Sequence, residues 1–150
     1  MRRANITRKQ VHLLLTIISL LLILFFTFVV RETFEIRSFG SRGVCFTPFR
    51  ELVAMIQQPN HSFYFWQIIL NILLFIPFGF TLSTYLNCHK ANRPLFLSVL
   101  LTAFLLSTSV EALQYLTSRG YTEIDDVINN TVGAVIGWWG YERVLKRRRG

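Results

Sequence analysis

Residues 11–30 form a long, predominantly apolar run that contains no Lys, Arg, Asp or Glu. An α-helix rises ~1.5 Å per residue, so a run of this length covers the ~30 Å hydrocarbon layer of a bilayer. The whole chain has 52% hydrophobic and only 16% charged residues, and its apolar residues fall in long blocks. These features exclude an ordinary soluble domain and predict an all-α integral membrane protein. With 150 residues, a single domain spanning 1–150 is expected.

Three further apolar segments lie at about 66–86, 95–116 and 124–145. Together with residues 11–30 they predict four transmembrane helices. A secretory signal peptide would also begin with basic residues, as this chain does. Its apolar core would be shorter, however, and small residues would follow at a cleavage site. We therefore expect residues 11–30 to remain as the first transmembrane helix.

The long loop between the first two predicted spans contains the pattern of a short amphipathic helix. Thr47 can cap this helix, and Pro48 suits the first helical position. Apolar residues then recur at helical spacing, namely Phe49, Leu52, Val53 and Ile56. Because a helix of this length cannot span a bilayer, we expect it to lie in the outer membrane interface.

The basic residues predict the orientation of the chain. The net charge is +8, but Lys and Arg cluster at the two termini and in the loop 88–93. This distribution is typical of topology signals and lipid anchors, and it excludes a nucleic-acid-binding face. The positive-inside rule then predicts a multi-pass plasma-membrane protein with both termini in the cytoplasm, although the loop after the first span also carries arginines. Cys45 and Cys88 would lie on opposite sides of the membrane and could not pair.

Polar side chains are rare in the predicted spans and concentrate at one end of three of them. A charge near the bilayer centre costs ~2.5 kcal/mol or more, so such residues call for an explanation. With the predicted orientation, the second, third and fourth helices carry their polar groups at one depth below the outer surface. We therefore predict a pocket in the outer leaflet, open to the external side. Its candidate ligand-binding residues are Asn71, Glu111, Gln114, Arg119, Asp125, Asp126, Asn129 and Asn130.

Several of these residues also have a purely structural interpretation. Thr122 and Asp125 match a capping box at the start of the fourth helix. The asparagines can form hydrogen bonds between helices. Gly133-x-x-x-Gly137 permits close helix packing, either within the chain or in a dimer, so the oligomeric state stays open.

Glu111 is the hardest of the candidates to explain by structure alone. It lies inside a predicted span with no basic residue at helical spacing, and Arg50 or Arg119 could supply its partner. No histidine falls near the cluster and no Ser/His/Asp set is evident, which disfavours an enzyme. From the sequence we assign no metal site and no cofactor.

Three motifs in order resemble the VanZ-like family of membrane proteins. They are NILLFIPFG at 71–79, SVEALQ at 109–114 and DDVINNTVG at 125–133, preceded by FTPF at 46–49. The resemblance covers roughly residues 44–140. It implies a role in the bacterial cell envelope, since the name-giving member is associated with resistance to teicoplanin, a glycopeptide that acts outside the membrane. By motif position, the resemblance marks Asn71, Glu111, Gln114, Asp125, Asp126 and Asn130 as site residues.

Two classes of function follow from this pattern. In the first, the protein is not an enzyme, and its pocket binds a membrane lipid, a lipid-linked cell-wall intermediate or the lipid tail of a lipoglycopeptide. In the second, it is a membrane-embedded hydrolase or transferase that acts on a lipid-linked envelope substrate. Glu111 with Asp125 or Asp126 would then serve as acid and base, or would hold a divalent cation. A transporter is disfavoured because four spans with one polar layer leave no path through a monomer.

Overall fold

The computed structural model describes residues 2–30, 42–57, 61–89, 95–117 and 120–146. The described part is a helical bundle with one pair of short strands. Its elements in chain order are α1 (Arg2–Phe25, continued by a π-helical segment Phe26–Val30), β1 (Arg42–Cys45), α2 (Arg50–Gln57), α3 (His61–His89), α4 (Leu95–Thr117), β2 (Gly120–Glu123) and α5 (Ile124–Tyr141, continued by a π-helical segment Glu142–Lys146). Arg119, one of the predicted site residues, lies outside the described residues.

Three helical segments among the described residues are long and apolar enough to cross a membrane. They are Arg8–Val30, Ser62–Cys88 and Leu95–Thr117. This agrees with the expected all-α membrane class. The fourth predicted span corresponds to α5, which has only 18 residues. Two aspartates and two asparagines in its first two turns make it less apolar than the others, so its passage through the membrane stays a prediction.

Helix α5 packs against both α3 and α4, whereas α1 packs against α3. The contact between α3 and α5 is very close because it is lined by glycine. A Cβ atom at Gly133 would overlap the carbonyl oxygen of Ile72, and one at Gly137 would overlap that of Ile76. Gly79 allows the same approach from the α3 side. Of the two alternatives for this glycine motif, the structure therefore shows packing within the chain.

The apolar core lies beside this helix contact. Its buried members come from four helices and are Ile23, Phe75, Phe78, Leu82, Val99, Ala103 and Ala134. The core therefore joins α1, α3, α4 and α5 and fixes how their polar ends meet.

Strands β1 and β2 pair in parallel, from Arg42 beside Gly120 to Cys45 beside Glu123. The sequence predicted only loops here. The pairing ties the long loop after α1 to the turn that precedes α5, and so brings the start of α2 close to the start of α5.

Helix α2 starts at Arg50, two residues later than a start at Pro48 would require. The prediction that Thr47 caps it and that Pro48 occupies its first position is therefore wrong. Phe49, directly before the helix, has φ = 61°, a left-handed conformation that is strained for a bulky side chain. The backbone amides at this helix start bind a residue far along the chain, described below. The predicted position of α2 in the membrane interface is not tested by the fold itself.

Candidate functional site

The site is built where α2 and α5 begin. Asp125, in the first turn of α5, accepts hydrogen bonds from two backbone amides at the start of α2. Its Oδ1 atom lies 2.5 Å from the Phe49 nitrogen, and its Oδ2 atom lies 2.8 Å from the Glu51 nitrogen. The orphan amides of α2 are thereby satisfied by a carboxylate, whose charge also complements the helix dipole. Asp125 thus caps α2 and docks the long loop onto the bundle.

The predicted capping box of α5 does not form. Glu123 stands at the N-cap position of α5 and makes no side-chain cap hydrogen bond. Thr122, the expected capping residue, instead donates from Oγ1 to the Glu111 carbonyl oxygen at 3.1 Å. The expectation fails because β2 continues directly into α5, so Thr122 lies in extended backbone that packs on α4.

Asp126 is fully buried and joins α5 to α3. Its Oδ1 atom accepts a hydrogen bond from Asn71 Nδ2 at 2.5 Å. A buried carboxylate is tolerated only where such donors replace water. These two residues, 55 positions apart in sequence, are therefore directly paired.

Glu111 brings α4 into the same network. Its side chain is buried, and its Oε2 atom accepts a hydrogen bond from the Glu123 backbone nitrogen at 3.0 Å. Arg50, which the sequence offered as a partner for Glu111, lies 3.4 Å from Glu123 Oε1. Through its side chain and its carbonyl oxygen, Glu111 therefore holds the end of β2 in place.

Three buried carboxylates come together in the middle of the site. One oxygen from each of Glu51, Glu123 and Asp126 lies within 4.8 Å of the others. Asn129 donates from Nδ2 to Glu51 Oε2 at 3.1 Å. Oxygen atoms at such spacing are the ligands that Mg²⁺ or Ca²⁺ prefers, and without a cation or a shared proton three carboxylates would repel each other.

Glu51 and Glu123 were not among the residues predicted for the site. The amphipathic pattern of α2 drew attention to its apolar side, but Glu51 and Ala54 are its buried residues. The sequence signal that could have identified Glu51 is its position on the face of α2 opposite the apolar residues. Its meeting with Asp126 depends on the path of the loop, which the sequence pattern does not reveal.

A small cavity opens beside these carboxylates. Its volume is about 70 Å³, which is room for several water molecules or a small polar group. It is lined by Cys45, Thr47, Arg50, Glu51, Phe63, Tyr64, Gln67, Glu123 and Asp125. Of the residues predicted from the sequence, Asp125 alone is among these lining residues. Asn71, Glu111 and Asp126 belong to the hydrogen-bonded network around it.

Cys45 and Arg50, which both line the cavity, shift each other's pKa. A hydrogen bond from the Thr47 backbone, followed by the hydrogen bond and charge of Arg50, lowers the pKa of the Cys45 thiol below its usual 9.0, against an opposing effect of partial burial. The hydrogen bond with Cys45 raises the pKa of Arg50, and the charge of Glu123 adds to this. The cavity therefore carries a cation next to a thiol whose pKa is lowered.

The remaining predicted residues lie at the edges of this network. Asn130 donates from Nδ2 to Ser107 Oγ at 2.8 Å, one helical turn beyond Asp126. Gln114 is buried on α4, one turn from Glu111. Within the described part of the chain, the side-chain oxygens of Asn130 and Gln114 are buried without a hydrogen-bond partner. The structure therefore connects five of the predicted residues directly to the carboxylate cluster, and these two lie beside it.

Comparison with known proteins gives two matches over these elements. The model of the VanZ/LLP1 family matches residues 12–146. Protein VanZ from Enterococcus faecium is 37% identical over 73 residues, which are 49% of this chain and 42% of that protein. The aligned part thus spans less than half of that relative's length. No solved structure matches this chain significantly.

Proposed function

This chain belongs to the VanZ/LLP1 family of membrane proteins, and from that premise we propose that it contributes to tolerance of teicoplanin in the bacterial cell envelope. Its cavity would act by binding a lipid, a lipid-linked cell-wall intermediate or the lipid part of the antibiotic. The observation that carries this proposal is a polar cavity at one end of an apolar helix bundle, next to exposed apolar side chains.

The proposed binding mode divides a lipid between two surfaces. A cavity of about 70 Å³ admits part of a headgroup but not a hydrocarbon chain. The chain would lie along the apolar surface outside, where Phe63 and Trp66 of α3 are 42% and 57% exposed. Sites for amphiphilic ligands commonly combine a few placed polar groups with such an apolar wall.

The proposed position in the membrane follows from α2 and the basic residues. On α2, Leu52, Val53 and Ile56 are exposed, and an apolar helix face of this kind is favourable at the boundary between headgroups and acyl chains. With α5 as a fourth span and both termini in the cytoplasm, this interface is the outer one. The cavity would then open toward the external leaflet, where glycopeptides act.

Expression in a susceptible bacterium tests the role in tolerance. We expect the minimal inhibitory concentration of teicoplanin to rise, with a smaller change for a glycopeptide that lacks a lipid chain. Glu111→Ala removes the acceptor that holds Glu123, so it should abolish the gain, whereas Glu111→Gln keeps an acceptor oxygen and should retain part of it. Ser109→Ala is the matched control, because this exposed hydroxyl bonds to its own helix backbone. Equal protection by Glu111→Ala at an equal membrane level would contradict the proposal.

A second candidate function is a carboxylate-dependent hydrolase or transferase that acts on a lipid-linked envelope substrate. The approach of Glu51, Glu123 and Asp126 within 4.8 Å favours it, since a divalent cation held there could polarise a phosphate oxygen. Metal analysis of the purified protein is the direct test. If this second candidate holds, the protein should retain a stoichiometric divalent cation that Asp126→Asn removes. Glu142→Gln, a carboxylate change outside this cluster, should leave the cation in place. A protein purified without chelators that holds no such cation would exclude the metal-dependent form of this candidate.

A further inference from the structure

The charges around the cavity narrow the class of ligand that it can take. Among the described residues that line it, Arg50 is the one cation, and Glu51, Glu123 and Asp125 supply three carboxylates. A purely anionic headgroup would meet more repulsion than attraction from this wall. A purely cationic group would be repelled by Arg50. The wall is complementary to a ligand that carries charges of both signs.

Arg50 is placed to receive the negative part of such a ligand. Its side chain is 59% exposed, and its Nη1 atom lies 3.4 Å from Glu123 Oε1. The exposed guanidinium keeps N–H donors that face solvent, so a ligand phosphate can bind them while the contact with the buried Glu123 carboxylate remains. A guanidinium also binds a phosphate through two parallel hydrogen bonds.

Glu123 is placed to receive the positive part. Its Oε2 atom lies 3.4 Å from Gln67 Nε2, at the long end of the range for a hydrogen bond, so a stronger donor can take its place. Its backbone is held by Glu111, which keeps the carboxylate at the wall. Asp125, by contrast, is committed to the two amides of α2.

We propose that the cavity takes a zwitterionic phospholipid whose headgroup ends in a primary ammonium, with the phosphate on Arg50 and the ammonium on Glu123. This inference rests on the proposed lipid-binding function. A primary ammonium has three N–H donors, as the lysine ammonium does. A trimethylated headgroup has none, so it cannot donate a hydrogen bond to Glu123.

Binding of defined lipids to the purified full-length protein tests the assignment. The probes are phosphatidylethanolamine, phosphatidylcholine and phosphatidylglycerol with identical acyl chains, and the readout is lipid retention by native mass spectrometry. We expect phosphatidylethanolamine to bind about tenfold more tightly than either of the others, a difference of about 1.4 kcal/mol. Glu123→Gln should remove the preference for phosphatidylethanolamine. Arg50→Gln should weaken the binding of phosphatidylethanolamine and of phosphatidylcholine to the same extent. Ser109→Ala, the control, should leave the binding of all three lipids unchanged.

The comparison of the three lipids on the unaltered protein tests the headgroup assignment even if a variant fails to fold. Equal binding of phosphatidylethanolamine and phosphatidylcholine would overturn the headgroup assignment and leave the proposed lipid binding intact. Binding of phosphatidylglycerol that requires Mg²⁺ and disappears with a chelator would assign a metal cation, instead of an ammonium, to the carboxylates. Failure to retain any of the three lipids would remove the proposed lipid binding as well.

Discussion

At the scale of single residues, Cys45 reports on the electrostatics of the cavity. The Thr47 backbone and Arg50 lower its thiol pKa, so a larger fraction is thiolate near neutral pH. Because the thiolate is the nucleophile, Cys45 should react with iodoacetamide at a lower pH than cysteine in an unstructured peptide does. The measurement is the alkylation rate as a function of pH in a Cys88→Ser background.

Arg50→Gln supplies the control for that prediction. It removes the cation but keeps the Thr47 backbone contact, so the pH midpoint of alkylation should rise without returning fully to that of the peptide. A midpoint equal to the peptide's in the unaltered protein would contradict the prediction. The same shift has a stability consequence: the thiolate stabilises the fold above the unfolded-state pKa, and this contribution is lost as the pH falls through the lower folded-state pKa.

The sequence predicted that some of these polar residues meet, because rare polar groups in apolar helices must find one another. Asn71 and Asp126 meet directly. Glu51 was missed because nothing in a loop of this length indicates which part of it returns to the bundle. Asp125 was predicted to lie at the site, but its contacts to α2 also explain its burial through helix capping.

At the scale of elements, the glycine contact between α3 and α5 gives a matched pair of substitutions. Gly137→Ala should destabilise the protein by about 1–3 kcal/mol, because the added methyl group meets the backbone of α3 and one helix must move. Gly140 lies three residues further along the same helix. Gly140→Ala should be neutral or slightly stabilising, since its Cβ would come no closer than 3.8 Å to the Phe80 side chain and alanine favours the helix.

Thermal unfolding of both variants in the same detergent measures this difference. A fall in the unfolding midpoint for Gly137→Ala that Gly140→Ala does not share would support the close packing. Equal midpoints for the two variants would show that α3 and α5 do not approach as closely as the structure has them.

The docking of α2 onto α5 by Asp125 gives a second prediction for an element. Asp125→Ala removes the carboxylate that accepts hydrogen bonds from two backbone amides. A hydrogen bond to a charged group contributes about 1.5–3 kcal/mol to the free energy of unfolding. Helix α2 should then detach more often, and trypsin should cleave after Arg50 faster than in the unaltered protein. Asp125→Asn keeps one acceptor oxygen and should give an intermediate rate. Unchanged cleavage of Asp125→Ala would mean that the strand pair alone holds the loop in place.

The strand pair itself shows where prediction of elements from the sequence stops. β1 and β2 have four residues each, too few for an alternating apolar pattern to stand out. Their pairing is parallel and links positions 78 residues apart, so neither segment indicates the other. The long apolar helices, by contrast, are predicted from composition alone, since length and hydrophobicity are all that a membrane requires of them.

At the scale of the whole molecule, the orientation in the membrane decides whether the cavity faces lipids of the outer leaflet, and the two natural cysteines can measure it. If α3 crosses the membrane with the loop before it outside, Cys45 lies outside and Cys88 lies in the cytoplasm. A membrane-impermeant maleimide added to intact cells should therefore label Cys88→Ser, which keeps Cys45, and should fail to label Cys45→Ser until the cells are permeabilised. Cys88 is exposed on the protein surface, so its protection in intact cells would reflect the membrane and not burial.

Labelling of Cys88 alone would invert the orientation and place the cavity at the cytoplasmic face, where an antibiotic that acts outside the membrane could not meet it. Labelling of both in intact cells would show that α3 does not cross.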